Sequence, residues 1–176
     1  MKTKNLILNA LLLSIGLMLH QFAPPIFGMK PDFLLSMMFI TIFISKDYKM
    51  TVIIGAVSGI LTALTTTFPG GQIPNFIDKI ITSNLVYLMI LFFERNSRIN
   101  NIKNSIKIGL LSASGTLVSG TVFLFSANLL FSLPASFNLL FITVVIPSIL
   151  INTVSSVLLF KVMSSAAKRT GLSNIL

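Results

Sequence analysis

Apolar residues fall in long blocks along this sequence, and polar residues gather in the gaps between them. The first block runs from Asn5 to Phe22, behind Lys2 and Lys4. Two shorter blocks follow, Phe33 to Ser45 and Met50 to Leu64, separated by Lys46-Asp47-Tyr48-Lys49. The remaining three cover about Ile80 to Phe93, Ile108 to Phe131 and Asn138 to Met163. A full helical crossing of a bilayer takes ~20 residues. The second and third blocks fall below that. They read as spans extending into their flanks or as a tight antiparallel pair. The pattern predicts an all-α polytopic membrane protein with six transmembrane helices, forming one domain over residues 1–176.

The gap at residues 65–79 breaks the pattern: Thr-Thr-Thr-Phe-Pro-Gly-Gly-Gln-Ile-Pro-Asn-Phe-Ile-Asp-Lys. Gly70 and Gly71 free the backbone for positive φ, and Pro69 and Pro74 remove two N–H donors. The expectation is irregular backbone through this stretch. Next to a membrane such backbone is tolerated in water or where it lines a protein cavity. It is either a solvated loop or the polar wall of a site. The connection at residues 23–32 is also turn-rich and ends in Lys30-Pro31-Asp32, where Asp32 is also placed to cap the next helix.

Small residues at intervals of four mark helix faces that let a neighbour approach closely. Ala10 and Ser14 form one such face in the first block. Gly55 and Gly59 form another in the third, and Ser112, Thr116 and Gly120 a third in the fifth. Pro147 stands inside the last block, with Asn152 beyond it. No A-x-A cleavage site follows the first block, so it reads as a retained helix rather than a signal peptide.

Composition supports the membrane reading. Charged residues make up 10% of the chain, against about 25% in a soluble domain. The net charge of +9 does not point to nucleic acid, because the basic residues lie in the gaps between apolar blocks. With the N-terminus in the cytoplasm, 11 of the 13 basic residues fall inside; Lys30 and Lys79 are the two outside. Both termini are therefore expected in the cytoplasm, and residues 23–32 and 65–79 on the outer side.

The absent motifs narrow the chemistry. There is no cysteine and a single histidine, His20, so no thiol chemistry and no two-histidine metal site. No P-loop, H-E-x-x-H or G-x-S-x-G occurs. The chain reads as a non-enzyme without a cofactor. What remains is an outer-side cluster that suits a zwitterion with an aromatic body. Asp32 and Asp78 offer anions, and Lys30 and Lys79 cations. Thr66, Thr67, Gln72 and Asn75 offer hydroxyls and amides. Backbone N–H groups around Gly70 and Gly71 are further donors, and Phe68 and Phe76 are candidate stacking rings.

Gly28-Met-Lys-Pro-Asp32 together with Thr65-Thr-Thr-Phe-Pro-Gly-Gly-Gln-Ile-Pro-Asn-x-Ile-Asp-Lys79 resembles the bacterial tryptophan transporter TrpP family, over essentially the whole chain. The resemblance implies tryptophan uptake across the cytoplasmic membrane. That family is in turn similar to the six-helix substrate-binding (S) components of energy-coupling factor transporters. In those, an outward-facing pocket holds the ligand, while a coupling transmembrane subunit and two ATPases are separate chains. Their first helix carries Ala-x-x-x-Ala for docking; here the pattern is Ala10-x-x-x-Ser14. A chain without tryptophan can be translated when tryptophan is scarce, which accords with the resemblance. The competing functions are an ion-gradient-driven tryptophan transporter, a component specific for another small ligand such as a vitamin, and a scaffold. A scaffold has no reason to concentrate polar residues in Gly/Pro-broken backbone on one side.

Overall fold

Helix α2 (Phe33–Ser45) is apolar around its whole circumference, and that decides where it sits. A helix without a polar face is buried on all sides. Every residue from Leu34 to Phe43 is buried. Around it pack α1 (Thr3–Phe22), α3 (Tyr48–Thr65), α4 (Gln72–Arg95), α6 (Asn104–Leu130) and α7 (Phe137–Arg169), with the single turn α5 (Ser97–Asn100) between α4 and α6. This computed structural model describes residues 3–22, 31–131 and 133–169, with side chains in α1 from residue 6 onward. The described residues contain no strand.

Helices α3, α4, α6 and α7 are each long and apolar enough to cross a membrane. At 13 residues, α2 is shorter than the ~20 of a full crossing. It is joined to α3 by the two-residue turn Lys46-Asp47, so the pair is antiparallel and tight. Lys46 closes α2 in the left-handed region, φ 49°, and the Asp47 carboxylate caps α3 through the Met50 N–H. Large apolar side chains such as Leu88, Phe92, Leu150 and Val162 cover the outside, while many serines and threonines lie inside. That distribution belongs in lipid, where polar and small side chains hold helices together. The chain is an all-α polytopic membrane protein.

Two seams show the small-residue faces at work. A Cβ added at Gly55 would stand 2.1 Å from Ser83 Oγ, so α3 and α4 touch there. Between α6 and α7, Ser112 bonds both Ser156 Oγ and the Asn152 carbonyl, at 2.9 and 3.1 Å. Ala10 and Ser14, by contrast, face outward from α1.

The polar stretch at 65–79 departs from the expectation of irregular backbone. Only residues 66–71 are irregular, and α4 starts at Gln72. Pro74 sits in the first turn, where an N–H has no helical partner to lose. Gly71 is the N-cap, and its carbonyl accepts from both the backbone and the side-chain amide of Asn75. Gly70 takes φ 69°, a left-handed conformation that glycine adopts without cost, and a Cβ there would meet the Phe131 ring. Asp78 and Lys79 therefore lie inside a helix.

Pro147 does not end α7. The turn before it, Phe141–Val145, widens to π geometry, with the Ile146 N–H bonding the Phe141 carbonyl. This accommodates a residue that lacks an N–H and crowds the carbonyl four positions back.

The two ends of the bundle differ. At one end the Lys46 ammonium pairs with Glu94, 2.8 Å, tying the α2–α3 turn to the end of α4. Arg95, Arg98, Lys103 and Lys107 follow at that end, and the Tyr48 and Tyr87 rings meet there at a tilt of 49°, with centroids 5.4 Å apart. The 66–71 loop, packed on Phe131, lies at the other.

Candidate functional site

Inside the bundle the helices separate around a cavity of about 280 Å³, just under the ~300–1,000 Å³ common for small-molecule sites. Its charged part is assembled from four helices. Asp32 leads into α2, His20 comes from the end of α1, Asp78 and Lys79 from α4, and Ser119 from α6. The Lys79 ammonium bonds Asp78 Oδ2 and lies 3.7 Å from Asp32 Oδ2. Ser119 Oγ donates to Asp78 Oδ2 and Thr82 Oγ1 to Asp78 Oδ1, both at 2.8 Å. Asp78 is thus fully engaged by protein donors.

Asp32 is not. Its Oδ1 caps α2 through the Leu35 N–H at 2.9 Å and lies 3.5 Å from His20 Nδ1. Among the described residues, its Oδ2 has only the long Lys79 contact. The Asp32 N–H donates to Asn152 Oδ1, 2.9 Å, which ties this corner to α7. Among the described carboxylates and ammonium groups here, two carboxylates face one ammonium, with the His20 ring beside Asp32. The arrangement can accept a cationic group at Asp32, where a quarter of the side chain is exposed.

The other part of the cavity is aromatic and hydroxylic. Phe68, in the 66–71 loop, meets Phe123 of α6 edge-to-face, with centroids 5.1 Å apart. Thr65, Thr66 and Thr67 line the wall beside them. Thr66 Oγ1 accepts from the Phe68 N–H and so fixes the ring's backbone. An aromatic ligand body can pack against this edge-to-face pair.

A family model described as "Tryptophan transporter TrpP" matches residues 2–168. The chain belongs to the TrpP family. A "Probable tryptophan transport protein" of Clostridium acetobutylicum is 47% identical to it over 161 residues, 91% of each chain. Proteins with the same description from Clostridium perfringens and Bacillus subtilis are 42% and 40% identical, each over 97% of this chain and 96% of theirs. No solved structure matches the chain. TrpP is a family of transporters, not of enzymes.

Within this TrpP chain, the cavity brings together Asp32, Thr66, Thr67, Phe68, Asn75, Asp78 and Lys79 of the residues singled out from sequence. Gly70, Gly71 and Gln72 do not line it; Gln72 is exposed at the start of α4. Lys30 lies outside the described residues. Phe76 faces outward and packs on Gly59, so Phe123 is the ring beside Phe68. Asp78 also stands differently from the sequence expectation, which placed it in irregular backbone of the 65–79 stretch. Asp78 is 1% exposed within α4.

Sequence reasoning missed His20, Thr116, Ser119, Phe123 and Asn152 as parts of the cavity. They come from α1, α6 and α7, distant in sequence from the 65–79 stretch. A weak signal existed in the polar residues inside apolar blocks, Thr116 and Asn152 among them. Such residues face a bundle interior by default.

Proposed function

We propose that this chain takes tryptophan into the cell, binding it in an outward-facing cavity between α1, α4, α6 and α7. The relatives described as tryptophan transport proteins supply the substrate class. The observation that carries the reading at residue level is the division of the cavity. Asp32, with an unsaturated carboxylate oxygen, stands at the charged part, and the Phe68–Phe123 pair at the other. An amino acid with an aromatic side chain needs both, because an unpaired charge in a dry pocket is very costly.

We read the protein as the substrate-binding component of an energy-coupled importer. It carries no nucleotide motif, and the outward faces of Ala10 and Ser14 on α1 offer a surface for a coupling transmembrane subunit and its ATPases. Both termini lie in the cytoplasm, with the basic end of the bundle inside. A second reading, an ion-gradient-driven transporter, is favoured by the buried Asp78–Lys79 pair, since intramembrane ionisable residues mark ion and proton pathways. Purified protein should bind labelled tryptophan in preference to a vitamin panel. Reconstituted alone, it should not accumulate tryptophan under an imposed proton or sodium gradient. Accumulation in that experiment establishes the second reading and removes the first.

A further inference from the structure

Thr116 on α6 holds a hydroxyl that none of the described residues satisfies. It is 3% exposed, it lines the cavity, and its Oγ1 has no hydrogen-bond partner among the described residues. Threonines inside helices commonly bond the carbonyl one turn back. Thr41, Thr62, Thr121 and Thr143 do so here, and Thr116 does not. Three other buried hydroxyls also lack partners, those of Ser36, Ser58 and Thr153, but they do not line the cavity. A buried polar group left unpaired in a native fold calls for an explanation, and at a cavity wall a ligand is one.

Its position selects the part of the ligand. One turn before it, Ser112 bonds the carbonyl of Asn152, whose side chain holds the Asp32 N–H. One turn after it, Ser119 bonds Asp78. Residues at these spacings share a helix face. Thr116 therefore stands between the Asp32 and Asp78 levels, within the charged part of the cavity. A ligand carboxylate placed there is repelled by both aspartates and has Lys79 as its cation. Lys79 is already held by Asp78, with Ser119 and Asp32 beside it. A neutral donor must complete the set. The hydroxyls of Thr62, Thr65 and Ser148 donate to backbone carbonyls and that of Ser119 to Asp78, while Thr66 and Thr67 stand in the loop at the aromatic part. The Thr116 proton is uncommitted.

Resting on the amino-acid reading of the cavity, we propose that the Thr116 hydroxyl donates a hydrogen bond to the substrate's α-carboxylate. This contact sets the ligand's register: ammonium on Asp32, carboxylate between Lys79 and Thr116, side chain toward Phe68 and Phe123. Thr116 is then a specificity-determining residue for the amino-acid head group, whatever selects the side chain.

Calorimetric titration of the full-length purified chain tests it with two probes, L-tryptophan and L-tryptophanamide, the second lacking the carboxylate charge. Thr116→Val, isosteric without the hydroxyl, should weaken L-tryptophan binding by about 10- to 100-fold, the loss of one hydrogen bond to a charged group. Thr116→Ser, which keeps the hydroxyl, should stay within about threefold of the parent. Tryptophanamide should lose far less from Thr116→Val than L-tryptophan does. Parent-like L-tryptophan affinity in Thr116→Val overturns the proposal, as does an equal loss for both probes. A parent protein that binds no L-tryptophan overturns the substrate reading itself, and is told apart because no variant is needed to see it.

Discussion

Lys79 Nζ reaches Asp32 Oδ2 across the bundle, 3.7 Å from α4 to the start of α2, while holding Asp78 on its own helix at 2.5 Å. The inequality separates the two aspartates by role. Asp78, bonded by Lys79, Thr82 and Ser119, is assigned a structural role in the proposed site. Asp32 keeps capacity for a ligand.

Asp32→Asn should therefore spare the fold and damage binding. Asparagine caps a helix as well as aspartate does, so α2 retains its Leu35 N–H partner. The ligand ammonium loses its counter-charge, which should weaken tryptophan binding by about 2–5 kcal/mol. A melting curve and a titration on the same preparation check both halves. Parent-like affinity rejects the pairing of Asp32 with the ammonium.

Lys79→Met should cost stability as well as the carboxylate contact, and the stability loss is the part read by unfolding. It leaves the buried Asp78 carboxylate without its ammonium, a loss of about 3–5 kcal/mol for a broken buried pair. The double variant Asp78→Asn with Lys79→Met should recover much of that stability, because the charge is removed together with its partner. Thermal unfolding in one detergent compares the three. A single variant as stable as the parent contradicts the structural role of the pair.

Sidedness follows from the basic end of the bundle. The chain has no cysteine, so introduced ones report alone. Gln72→Cys, exposed beside the 66–71 loop, should react with an impermeant thiol reagent in intact cells. Ser97→Cys, exposed in α5, should react only after the membrane is opened. Labelling of Ser97→Cys from outside inverts the proposed orientation.

Docking on α1 predicts a split between binding and uptake. Ala10→Phe adds a ring on an exposed face away from the cavity. It should abolish uptake in cells and leave tryptophan affinity unchanged. Uptake at the parent rate removes this face as the coupling surface.

The six apolar blocks were legible as helices because a bilayer demands long apolar runs, and those runs survive any detail of packing. The start of α4 was not. Pro74 and the Gly70–Gly71 pair carry the signals of a broken helix, yet Pro74 falls in the one turn where proline is tolerated. That shifted Asp78 and Lys79 from a loop to a buried helix face. Half of the candidate site was visible because Asp32, Phe68, Asn75, Asp78 and Lys79 cluster near the two polar gaps. Thr116, Ser119, Phe123 and Asn152 join them only through the packing of α6 and α7 on α4 and α2. Local spacing holds no record of such a contact. His20 was read for what a lone histidine excludes, and its place beside Asp32 depends on how α1 folds back onto α2.

The Tyr48–Tyr87 pair at the basic end has an optical consequence. It holds both tyrosines of the chain, neither lines the cavity, and the chain has no tryptophan. The rings at the cavity, Phe68 and Phe123, are faint emitters. A bound tryptophan is therefore the lone indole in the molecule, and all red-edge ultraviolet fluorescence belongs to the cargo. Its passage from water to the phenylalanine wall should register as a blue shift with no protein signal beneath it. Excitation of the distant tyrosine pair should add a weak transferred component that only an occupied cavity can receive.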